Sequence, residues 1–270
     1  MPRGYIKNGG AALIQIFNYI EELINIDNDR FTNTLGRLSE ELSKEQPYPF
    51  NFFVQASIRN TVKPFVSESA RDKRLQRLVD HNLTKIAEES CERVSTLLPS
   101  PIKNIEVHIF PAFERGGGCT IAPGKIFVSV KIDELAPVRL QRNIAHEYSH
   151  SVRMTQKPQA AQHGYGAEVP YSVRDYLVFE GLAMVVSETL YPAPIPPVEL
   201  SDADENAWWS GAKLDAVGSD GYINHIGERA YEIGSRIVRA YMQNRGMSIV
   251  ALHYLTDHEL YWNSGYEKVR

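Results

Sequence analysis

Residues 142–154 read Arg142-Asn143-Ile144-Ala145-His146-Glu147-Tyr148-Ser149-His150-Ser151-Val152-Arg153-Met154 and contain one H-E-x-x-H pattern. Leu140, Ile144, Tyr148 and Val152 recur at every fourth position, an apolar stripe that predicts a packed helix. Pro137 suits its first turn. On such a helix His146 and His150 stand one above the other. Two imidazoles so placed can aim nitrogens at one divalent ion about 2.0–2.1 Å away, as zinc requires. Glu147 lies about 100° further round. There it is near the ion without having to bind it, and can take a proton from a metal-activated water.

A hydrolytic zinc site uses three protein ligands and leaves one position for water. Downstream of His150 the candidates are His163, Glu168, Asp175 and Glu180. The longer H-E-x-x-H-x-x-G-x-x-H pattern is absent, because Arg153 and Gln156 occupy its Gly and last His positions. His163 and Glu168 fall in a predicted loop over 156–170, which positions ligands less firmly than a helix. Ser172 and Asp175 have capping-box spacing and open a predicted helix, Val173–Leu190, whose apolar residues almost encircle it. Glu180 sits at its middle, and a buried carboxylate needs a partner or a metal. Gly181 beside it leaves room for another backbone. Glu180 is therefore the favoured third ligand; the competing assignment pairs it with an arginine such as Arg153.

Upstream, Ile105–Pro111 and Ile126–Ile132 alternate with strand period, and Pro123-Gly124 suits a type II turn closing a hairpin. Gly116-Gly117-Gly118 precedes it, fitting a loose loop or a close backbone approach equally. Residues 11–45 and 68–98 read as helical, with a Pro- and aromatic-rich connector at 47–53. Further helices are expected over 229–244 and 248–257. The fold class is α+β, mainly helical, with a small sheet or hairpin packed on the motif helix. A helical N-terminal region (1–100) and a catalytic region (101–270) are expected to form one compact unit.

Of the 270 residues, 43% are hydrophobic and 23% charged, which suits an ordinary globular protein. A net charge of −4 gives no basic footprint for nucleic acid. Cys91 and Cys119 lack paired-motif spacing and fit buried thiols in a reducing, cytoplasmic setting. No apolar run is long enough for a membrane span. Ala11–Ile20, interrupted by Gln15 and Asn18, reads as an amphipathic helix rather than a leader.

Gln141–His150 with Arg153, followed by Val178-Phe179-Glu180-Gly181-Leu182-Ala183, resembles the H-E-x-x-H-x-x-R … E-G-L-A pattern of the YjaZ-like family of predicted zinc-dependent proteases. More distantly it is similar to gluzincin metallopeptidases, and the resemblance covers roughly 50–255. It implies a zincin-like architecture, Zn2+ held by His146, His150 and Glu180, Glu147 as general base, and a peptide or protein substrate. The oxyanion formed during hydrolysis needs a further donor. Tyr231 and His225 are the candidates, and the resemblance favours Tyr231. The edge of the glycine-rich hairpin, Gly116–Ala122, is expected to hold the peptide by main-chain pairing. A metal-stabilised binding module without turnover is the alternative; retention of Glu147, which structural coordination does not need, weighs against it.

Overall fold

A computed structural model describes residues 5–9, 12–44, 68–112, 116–131, 137–156, 172–192, 200–216 and 228–266. His163, Glu168 and His225 lie outside them. The architecture is α+β. The strands are β1 (Tyr5–Gly9), β2 (Ala12–Asn18), β3 (Asn104–Ala112), β4 (Gly117–Ala122) and β5 (Lys125–Lys131). The helices are α1 (Asn28–Ser43), α2 (Glu68–Val79), α3 (Leu83–Leu97), α4 (Pro137–Gln156), α5 (Val173–Leu190), α6 (Asp202–Gly211), α7 (Glu228–Arg245), α8 (Ile249–Leu252) and α9 (Asp257–Trp262). No helix among the described residues is long and apolar enough to cross a membrane.

The five strands form one mixed sheet in the order β1-β2-β3-β5-β4. β2, β3 and β5 are parallel, while β1 and β4 run antiparallel to their neighbours at the two edges. One face is aliphatic: Ile14, Ile16, Ile105, Val107, Ile109, Ile126 and Val128 are all buried there. Strand alternation puts Gly118 and Thr120 of β4, register partners of Val128 and Ile126, on that same face. It packs against α3 and α4. The opposite face stacks rings, with Phe17, Tyr19 and Phe110 layered around His108.

The N-terminal reading needs correction. Residues 12–18 are a strand, not the start of a helix, and the helix begins only at Asn28, capped by Asp27. Ile14 and Ile16 are buried at period two because β3 supplies a parallel partner, Ile14 opposite Ile105. Residues 68–98 divide at Asn82, whose left-handed backbone (φ 48°) ends one helix while its side chain caps the next. The expected helix over 248–257 is also two short ones, with Ser248 and Thr256 each starting one.

The hairpin follows expectation. Gly124 takes φ +81°, as position i+2 of a type II turn requires. Its N–H donates to Ser151 Oγ at 2.5 Å, which pins the turn to the motif helix. Helix α5 begins with the predicted capping box of Ser172 and Asp175.

Candidate metal centre

Three buried or half-buried side chains converge where α4 faces α5. His146 Nε2 lies 3.0 Å from His150 Nε2, and Glu180 Oε2 lies 3.1 Å from the first and 3.2 Å from the second. Donor atoms of a tetrahedral site with bonds of 2.0–2.1 Å stand about 3.3–3.4 Å apart. The triangle's edges, 3.0–3.2 Å, come within a few tenths of an ångström of that size. Hydrogen bonding alone does not account for it: if both Nε2 atoms donate to Glu180, two N–H groups face each other at 3.0 Å. One cation accepting a lone pair from each corner satisfies all three, so these side chains fit a metal.

The surroundings hold the corners in place. The His150 ring stacks on Phe179 at 3.9 Å and 6°, which fixes its plane. Its Nδ1 is buried without a hydrogen-bond partner among the described residues. The Glu180 carboxyl is drawn down to about 2: burial opposes this, but the facing imidazoles of His150 and His146 outweigh it. Burial also opposes protonation of His146, yet the Glu180 hydrogen bond and the nearby carboxylates leave its pKa raised. Arg153 does not compete for Glu180. It is buried and donates to Asp257 at 2.5 Å and to the His253 carbonyl at 2.7 Å.

Glu147 stands beside the triangle; its carboxylate and the two imidazole nitrogens all lie within 4.8 Å of one another. Unlike Glu180, it is held from the sheet. Thr120 Oγ1 lies 2.7 Å from the Glu147 main-chain carbonyl and 2.9 Å from Oε2, and its one hydroxyl proton is shared between these two acceptors. A Cβ on Gly118 would come within 2.6 Å of Glu147 Cγ and 2.7 Å of Oε1. Close approach, not looseness, explains this glycine. Burial pushes the Glu147 carboxyl up, against the pull of both imidazoles, which favours a group able to accept and return a proton.

Tyr231, on the first turn of α7, has its ring 6.1 Å from that of His146. Gly234, one turn on, lets α7 touch α5: a Cβ there would lie 2.1 Å from the Leu177 carbonyl oxygen, and one on Gly181 would lie 2.3 Å from Gly234. Sequence reading anticipated the gap at Gly181 but not its occupant. It missed Thr120 altogether; the one available signal was a polar residue between Gly118 and the turn.

Residues 83–210 match the model of a family described as "Predicted Zn-dependent protease (DUF2268)". The match runs from α3 to α6, taking in Thr120, His146, Glu147, His150 and Glu180 but not Tyr231. No curated protein and no solved structure matches the chain.

Proposed function

We propose that the chain is a zinc-dependent peptidase that hydrolyses peptide bonds in a peptide or protein substrate. The observation that carries this reading is the meeting of His146 Nε2, His150 Nε2 and Glu180 Oε2 within 3.2 Å, with the Glu147 carboxylate alongside. The match to a family described as predicted zinc-dependent proteases supports it.

His146, His150 and Glu180 are the ligands. The bound ion supplies Lewis acidity, making water a better nucleophile and a carbonyl a better electrophile. Glu147 takes the proton from the attacking water and returns it to the leaving amine. Thr120 occupies Oε2, so Oε1 is the oxygen left for that transfer. Tyr231 donates to the developing oxyanion, a role its place over His146 supports. β4, an edge strand directly beside Glu147, holds the extended substrate by main-chain pairing.

The test combines elemental analysis of the purified protein with digestion of an unbiased peptide library, with and without chelator. Glu147→Gln is expected to keep its zinc and lose hydrolysis; His150→Ala is expected to lose both. Full hydrolysis by Glu147→Gln sinks the mechanism.

A further inference from the structure

The helices that carry the site also carry a charged trio further along. Arg142 precedes His146 by one turn on α4; Glu188 follows Glu180 by two turns on α5; Arg239 follows Tyr231 by two turns on α7. They meet in space. Arg239 donates to Glu188 Oε2 at 2.6 Å, and the Arg142 guanidinium lies 3.7 Å from Oε1. At that distance the Arg142 guanidinium is ion-paired but not hydrogen-bonded, and it makes no hydrogen bond to any described side chain. Two guanidiniums share one carboxylate, leaving one positive charge over and one planar fork unused. All three side chains reach solvent, Arg142 at 23%, Glu188 at 21% and Arg239 at 53%.

We propose that Arg142 and Arg239 form an anion subsite that takes a substrate carboxylate, an inference that rests on the peptidase reading above. Guanidinium forks bind carboxylates in a paired, directional way. Eight residues of helix separate Glu188 from Glu180, about 12 Å. An extended peptide advances about 3.3 Å per residue, so the recognised carboxylate falls roughly three or four residues from the cleaved bond. It belongs to an acidic side chain or to the chain terminus.

Fluorescence anisotropy on the zinc-loaded Glu147→Gln protein tests this without turnover. The probes are fluorescein-labelled peptides of one alanine-rich sequence. One arm carries Glu or Gln at a scanned position with an amidated end; the other has a neutral sequence ending in a free carboxylate or an amide. The anionic peptide of one arm is expected to bind roughly five- to tenfold more tightly than its neutral partner, and the arm that responds identifies the source. Arg142→Gln with Arg239→Gln should abolish the preference. Glu188→Gln, which removes the competing carboxylate, should enlarge it, a direction that misfolding cannot produce. Equal binding of anionic and neutral peptides, no binding at all, or a preference that survives the double arginine variant overturns the subsite. A protein that holds zinc and cleaves the library without this preference loses the subsite alone; one that does neither loses the peptidase reading.

Discussion

Glu147, the proposed general base, owes its orientation to more than its own side chain. Its position is set by a hydroxyl and by a missing side chain, both on β4: Thr120 holds Oε2 at 2.9 Å, and Gly118 clears the space beside Oε1. Thr120→Val keeps the shape and deletes the donor, leaving a buried carboxylate oxygen without its bond, at a cost of about 1–3 kcal/mol. Turnover of library peptides should fall about tenfold, since part of that loss appears as misorientation in the transition state. KM and zinc content should stay unchanged. Thr120→Ser, which restores the hydroxyl, should recover most of the rate. Equal losses in Val and Ser would show that packing at Thr120 matters and its hydroxyl does not.

Helices α5 and α7 cross at Gly181 and Gly234 with their backbones in contact, and this crossing sets how near Tyr231 stands to His146. Gly234→Ala forces a methyl toward the Leu177 carbonyl and must part the helices. Overpacking of this kind costs about 1–3 kcal/mol, and thermal melting should show it as a lowered midpoint; an unchanged midpoint would mean that the helices are not in register contact. Elements whose causes are local could be read from the sequence alone. Helix α5 carries its capping box and its apolar wrap within its own residues, and the hairpin carries Pro123-Gly124. β2 could not be read in this way: the run Leu13–Phe17 is short and apolar enough to suit either state, and of its two partners β1 was not anticipated and β3 lies some ninety residues on. The same separation hid Asp257 as the partner of Arg153, whereas His146, Glu147 and His150 were legible because one helix turn brings them together. Glu180 was legible through burial: a carboxylate in an apolar helix demands an explanation.

Across the whole molecule, the back of the motif helix is locked to the C-terminal helices through buried polar groups. Ser149 Oγ and His253 Nε2 lie 2.8 Å apart, and His253 Nδ1–H donates to the Ile249 carbonyl at 2.8 Å, an arrangement in which the neutral ring accepts from the hydroxyl. Burial lowers the His253 pKa from 6.5 to about 4. The unfolded chain therefore binds a proton that the folded chain refuses between these values, and stability, complete above pH 6.5, is lost as pH falls toward 4. The loss is on the order of 3 kcal/mol. His253→Gln does not titrate, so its urea midpoint should fall less steeply than the wild type's over that window; parallel curves would remove His253 as the cause. An ion held by the proposed ligands would couple the same helices from the other side, because two donors ride on α4 and the third on α5. An ion that binds only the folded chain stabilises it by about 2.7 kcal/mol at a hundred times its dissociation constant. For a chain of this size each kcal/mol moves the melting midpoint roughly 2–4 °C. Chelation should accordingly lower the midpoint by roughly 5–10 °C, and added zinc should restore it. His150→Ala should melt at one temperature with or without zinc, because its triangle lacks a corner. A wild-type midpoint that ignores both chelator and zinc would mean that the three donors meet through packing alone.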